Sequence, residues 1–368
     1  MNIASSQSPQ TPAREAASQP QPAATGCRLC GERLQHTFVD LGHTPLCESF
    51  LTATELDQPE THYPLHAYVC DQCWLVQLKE YVSGEAIFGG DYAYFSSFSD
   101  SWLAHCKRYA GAMAERFGLS ETSRVMEIAS NDGYLLQYFV QRGVPALGIE
   151  PARNCAAAAE DRGVPTRVEF FGTRLAKQLV AEGDRPDLLA ANNVLAHVPD
   201  LNDFVAGMKI LRKDDGRITV EFPHLLTLMD GVQFDTIYHE HFCYYSFTTV
   251  VRLFAAHGLT VFDLDELPTH GGSLRVHACH AEGPHAQPTP TVDAMLRREQ
   301  TYGVTDLKTY QRFAHRVETV KVDLLGFLLE AKQNGKSVAG YGAPGKGNTL
   351  LNCSGIGPDL LPYTVDRN

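Results

Sequence analysis

The chain of 368 residues has no apolar run approaching the roughly 18 residues that a membrane-spanning helix needs, so no segment reads as transmembrane. A secretory leader is also missing. Residues 1–25 are rich in Ser, Gln, Pro and Ala without an apolar core, and read as a disordered tail outside the fold. That points to the cytoplasm, where ten cysteines are expected as reduced thiols or metal ligands rather than disulfides. Positive charge is scarce as well: 31 Lys and Arg stand against 43 Asp and Glu, for a formal net charge of −12. Such a surface repels phosphate backbones and anionic membranes, which argues against nucleic acid or a membrane as the main partner. A nucleotide-sized ligand stays open, because a local pocket can be positive on an acidic protein.

What is present is an ordinary globular composition, 44% hydrophobic and 20% charged, long enough for two or three domains. Residues 26–85 carry two Cys-x-x-Cys pairs among short, turn-rich elements. Over 86–283 strand-like and helix-like stretches alternate, the signature of a parallel sheet covered by helices. The stretches RVMEIA, ALGIE, DLLAANNV and GRITVEFP read as its strands, and LTVFDLDE and SLRVHACH as a closing antiparallel pair. A Pro-rich linker (283–291) leads to a long helical pattern over about 292–334, then a strand–turn–helix unit from Lys336. This last domain, 292–368, looks incomplete: two strands cannot bury a sheet face alone, so it is either cut short or leans on the middle domain. The fold class is α/β, a doubly wound Rossmann-like sheet with a small N-terminal domain and a partial Rossmann-like C-terminal one.

Cys27, Cys30, Cys70 and Cys73 have the spacing of two knuckles that share one tetrahedral zinc ion. Four protein ligands leave no position for water or substrate, so the site is structural. In Glu127-Ile-Ala129-Ser-Asn131-Asp132-Gly133 a strand ends in a small-residue turn that opens a helix, where doubly wound sheets bind ligands. Glu150, ending the next strand, is placed for ribose hydroxyls. Ala129 and Asn131 stand where a dinucleotide loop would have glycines, and an acidic strand suits a cationic sulfonium better than a pyrophosphate. Asn192 and Asn193, followed by His197, either face a ligand at the same rim or cap the next helix.

The segment Tyr238-His239-Glu240-His241-Phe-Cys-Tyr-Tyr-Ser gathers imidazoles, a carboxylate and phenols. It is no H-E-x-x-H zinc helix, since its histidines are two apart. In an extended stretch His239 and His241 would share a face. A histidine there suits general-base chemistry, with Glu240 orienting it and Tyr238 donating to an oxyanion. A second loop, Gly340-Tyr-Gly342-Ala-Pro-Gly345-Lys346-Gly347-Asn348, matches G-x-G-x-x-G, with Asp366 about twenty residues on. It fits a nicotinamide-dependent oxidoreductase, and its lysine equally fits a nucleotide-sugar diphosphate.

In order, the Cys₄ knuckle, ASNDG, ANNVLAHV, YHEHFCYYS, HGGSLRV and GYGAPGKGN resemble the sugar C-methyltransferases. These enzymes use S-adenosylmethionine (SAM) to branch dTDP-linked 4-keto-deoxysugars at C3. The resemblance covers nearly the whole chain after residue 26. It implies that Glu127, Ala129, Asn131, Asp132, Gly133, Glu150 and Asn193 line the SAM site. His241 would take the proton beside the ketone, supported by Tyr238, Glu240 and His197. Tyr92, Lys346 and Asn348 would meet the sugar nucleotide. Methylation of oxygen or nitrogen, the oxidoreductase, and a zinc-linked sugar-nucleotide binding protein without catalysis are the other readings.

Overall fold

The computed structural model describes residues 26–47, 51–90, 92–342 and 345–366. The tail over 1–25 lies outside the described residues. Among the described residues there are three sheets. The first joins β1 (His36–Thr44), β2 (Tyr63–Val69) and β3 (Val76–Leu78) as an antiparallel meander. The second contains β4 (Val125–Ile128), β5 (Ala146–Ile149), β6 (Thr166–Arg167), β7 (Leu188–Asn192) and β8 (Arg217–Pro223), all parallel. A short strand β9 (Cys243–Tyr244) leaves this region and pairs with β3, completing the first sheet in the order β1-β2-β3-β9. The segment that carries His241 therefore ends as a strand of the N-terminal sheet.

The hairpin β10 (Leu259–Leu267) and β11 (Ser273–His280) closes the seven-stranded sheet in the order β10-β11-β8-β7-β4-β5-β6. Its last strand is slotted antiparallel beside β8. The central strands are buried on both faces (Val125–Ile128 and Leu188–Asn192 throughout), as expected where helices cover a parallel sheet on two sides. The helices Asp100–Phe117, Leu201–Leu211 and Phe247–Ala256 present apolar stripes to it.

The C-terminal helical pattern is two helices, not one. Pro290–Tyr302 ends at Gly303, whose φ of 92° is a left-handed cap, and Asp306 accepts from Lys308 N to start Leu307–Gln333. The expected helix after the first sheet loop shrinks to Gln137–Val140. Beyond it, β12 (Gly340–Tyr341) and β13 (Thr364–Val365) form a two-stranded parallel sheet with the helix Gly345–Ser354 between them. That unit leans on the rest of the molecule: Thr349 Oγ1 donates to Ile237 O, and Leu350 and Cys353 pack on the core of the first sheet. Among the described residues no helix is long and apolar enough to cross a membrane.

Candidate active site

The four cysteine sulfurs lie within 4.8 Å of one another. Each knuckle closes on itself: Gly31 N donates to Cys27 O and Trp74 N to Cys70 O, with Gly31 at φ 77° and Trp74 at 67°. Gln77 Nε2 donates to Cys27 Sγ at 3.1 Å. Four thiols converging with an N–H···S bond from outside the set fit a Cys₄ zinc site, which contributes folding energy directly. Gln77 also sits opposite Cys243 in the β3–β9 ladder. The metal site is thus one strand away from the histidine segment.

The loop after β4 is built tightly. Ala129, Asn131 and Gly133 have φ of 57°, 47° and 76°. A Cβ on Gly133 would stand 3.1 Å from Val164 Cγ2 and 3.2 Å from Ala159 Cβ, so only glycine fits. Glu150 accepts from Asn131 N and Ala152 N, both at 2.9 Å, which holds the loop against β5 and leaves each oxygen one further lone pair. Glu127 is fully buried and accepts from Tyr134 OH at 2.7 Å; burial first, then the nearby carboxylates, push its carboxyl well above the ordinary range. Asp132 meets Arg162 at 3.3 Å.

What remains is a set of acceptors. Glu127 Oε2, Asp132 Oδ1, Asn192 Oδ1 and Asn193 Oδ1 are buried without a hydrogen-bond partner among the described residues. Buried polar atoms are rarely left so unless a ligand completes them. Carboxylate and amide oxygens of this kind suit a ligand that brings donors and positive charge: an ammonium, ribose hydroxyls, a sulfonium. SAM has all three, and a pyrophosphate, which brings acceptors, does not fit. The other reading of Asn192 and Asn193, as caps, falls away because Asp200 caps the next helix by accepting from Asp203 N.

Residues 92–97, which sequence reasoning noticed only through Tyr92, cross this loop. Ser96 N donates to Asn131 Oδ1 and Asn131 Nδ2 to Tyr94 O. Arg162 reaches Ser97 Oγ, and Asn154 brackets the backbone of Tyr92 through both its amide atoms. The Tyr92 hydroxyl then donates to Glu240 Oε2 at 3.3 Å. One strap joins the cofactor loop to the histidine segment.

That segment is not extended. Tyr238–His241 forms a turn, with His241 N donating to Tyr238 O, so His239 and His241 do not share a face. His239 Nε2 donates to Pro64 O, tying the turn to β2. His241 Nδ1 is 3.2 Å from Thr236 O and its Nε2 2.9 Å from Tyr238 Oη. A carbonyl only accepts, so Nδ1 carries the proton, and Nε2 holds a lone pair toward the phenol. Desolvation, then the charges of His197, His270 and Lys346, hold the His241 imidazole well below the usual range. His197 packs edge-on at 4.7 Å and is itself lowered to about 4 by burial. The structure therefore brings together Tyr92, His197, Tyr238, Glu240, His241 and the charge of Lys346. Glu240 bonds to Tyr92, and Asn348 lies exposed on the first turn of its helix.

Sheet order and the oxygen-lined loop after β4 describe a SAM-dependent methyltransferase. Comparison with known proteins agrees. Family models match a zinc binding domain over 27–88, a methyltransferase domain over 102–264 and a C-methyltransferase C-terminal domain over 268–368. The C-methyltransferase NovU of Streptomyces niveus is 36% identical over 340 residues, 92% of this chain and 80% of that one. The chain belongs to the C-methyltransferases with an N-terminal zinc-binding domain. Among solved structures, magnesium protoporphyrin IX methyltransferase of Synechocystis PCC 6803 is 13% identical, covers 48% of this chain and 83% of its own, and has a TM-score of 0.40. The PH0226 protein of Pyrococcus horikoshii OT3 is 14% identical, covering 51% and 94%, with a TM-score of 0.42.

Proposed function

We propose that this enzyme methylates the carbon beside the ketone, C3, of a nucleotide-linked 4-keto-deoxysugar, with His241 as the base. The observation that carries it is the half-buried His241, held neutral by desolvation, whose Nε2 lone pair faces Tyr238. Oxygen and nitrogen attack through a lone pair they already hold, with a base raising the reactivity of a hydroxyl. A carbon acidified only by a neighbouring carbonyl needs one. The likeness to NovU supports carbon as the acceptor. The nucleotide sugar, the cytoplasm as compartment and the division into zinc (26–85), SAM (86–283) and sugar-nucleotide (292–368) domains belong to this reading.

Bound SAM supplies an electrophilic methyl group. The acceptors Glu127, Asp132, Asn192 and Asn193 hold and orient it, and Glu150 fixes their loop. His241 Nε2 takes the C3 proton, and the C–H electron pair becomes the enolate. The Tyr238 hydroxyl, released from that lone pair, donates to the enolate oxygen. The enolate carbon would then form its bond to the SAM methyl as the methyl–sulfur bond breaks, its electron pair staying on sulfur and S-adenosylhomocysteine leaving, and positioning would supply much of the rate. Lys346 and Asn348 face the sugar nucleotide, and Tyr92 links both halves through Glu240.

Incubation with SAM and a panel of dTDP-linked 4-ketosugars, followed by mass spectrometry and carbon NMR, tests the reaction. One added methyl on C3 is expected. A product methylated on oxygen or nitrogen, or none from any ketosugar, overturns it.

A further inference from the structure

The turn between β10 and β11, Thr269-His270-Gly271-Gly272, takes no part in the steps above, yet the fold pins it from three sides. Thr269 Oγ1 donates to Glu221 at 3.0 Å, Gln233 Nε2 to Gly271 O at 2.9 Å, and His224 N to Gly272 O at 3.0 Å. Gly271 and Gly272 have φ of 82° and 118°, and a Cβ on Gly272 would stand 2.6 Å from Thr227 Cγ2. The result is to hold His270 at φ 53°, a left-handed conformation that side chains with a Cβ rarely adopt. Strain kept by so many fixed partners points to use of the side chain.

The His270 ring meets Trp102 edge-on at 5.3 Å and opens on a cavity of about 620 Å³. Trp102, Tyr94, His105, Arg108 and Arg275 also line it. The volume is in the range of small-molecule sites. Its floor is already neutralised, since Glu221 takes Arg275 at 2.7 Å and His105 at 3.1 Å. Arg108 differs: it is exposed and enters no ion pair among the described residues. Lys346 adds a second positive field, which acts on both His270 and His241 and is opposed by Asp235. On a chain of net charge −12, Arg108 and His270 line one cavity beside an indole wall, with the charge of Lys346 felt at His270.

We infer that Arg108, His270 and Trp102 form the subsite for the phosphate-bearing half of the substrate. Arg108 and His270 meet the phosphate oxygens, and Trp102 gives the apolar flank. The inference rests on the nucleotide-sugar reading and adds that the methyltransferase sheet, not the C-terminal loop alone, recognises the nucleotide.

Calorimetric titration of the full chain with dTDP alone, beside steady-state kinetics, tests it. R108A and H270Q are expected to weaken dTDP binding and raise KM for the ketosugar by about tenfold or more, as loss of a charge-assisted bond predicts. SAM affinity should stay within about twofold, which also shows that the variants are folded, and R108K should recover part of the loss. Wild-type dTDP affinity and KM in both variants overturns the subsite, as does a loss that falls on SAM affinity. Titration needs no turnover, so the two readings separate. A wild type that methylates while its variants bind dTDP normally overturns the subsite alone. Variant-sensitive dTDP binding without any methyl transfer keeps the subsite and overturns the reaction.

Discussion

His241 and His197 share one physical condition: both are half-buried imidazoles packed where the charged form is poorly solvated. In the proposed reaction this keeps His241 unprotonated below the usual imidazole range, so the rate should not fall between pH 8 and 6 through its titration. A kcat profile flat over that range is the expected result. For stability the sign follows from linkage. The unfolded chain takes up protons near pH 6.5, while the folded His197 resists until about 4. The unfolded state thus binds more protons in that window, and stability must decrease as pH falls through it. Urea titrations at pH 7 and 5 should show a lower midpoint at 5, and H197F should flatten the difference.

At the scale of elements, the loop after β4 makes the sharpest prediction. Gly133→Ala places a Cβ in a left-handed residue and against Val164 and Ala159. The conformation alone costs about 1–2 kcal/mol. A lower melting temperature and SAM affinity weakened about tenfold or more are expected by thermal melt and calorimetry. The strands of the sheet were legible in sequence because buried parallel strands are near-continuous apolar runs, as RVMEIA and DLLAANNV are. The two-residue β6, the helix Thr173–Ala181 and the break at Gly303 were not. A two-residue strand has no periodicity to read, and one glycine in a helical pattern is as often tolerated as terminal. The histidines were found by type, but their geometry was misjudged. The turn at Tyr238–His241 is set by contacts with Pro64 and Thr236, distant or backbone partners that spacing does not show. The strap over 92–97 left little signal, since its role lies in backbone groups.

Across the whole molecule, the zinc-type site gains a meaning that the cysteine spacing alone did not carry. Cys70 and Cys73 form the turn between β2 and β3, and β3 pairs with β9, two residues after His241. Leu78 N also donates to Phe242 O. A structural metal here supports the strand that follows His241, the base in the proposed reaction. Cys70→Ser should reduce bound zinc from about one per chain, measured by elemental analysis, lower the melting temperature, and reduce kcat more than SAM affinity. If kcat per folded molecule were unchanged, the metal would stabilise its own sheet only.

The account turns on proton abstraction from carbon by His241, and solvent exchange reads that step without methyl transfer. A dTDP-linked 4-ketosugar is incubated in deuterated water with the enzyme and S-adenosylhomocysteine, and deuterium at C3 is followed by mass spectrometry. Wild type should wash in one deuterium, and H241Q should slow that exchange by about 10²–10⁴-fold while binding SAM normally. Exchange at the wild-type rate in H241Q would contradict the assignment of His241 as the base.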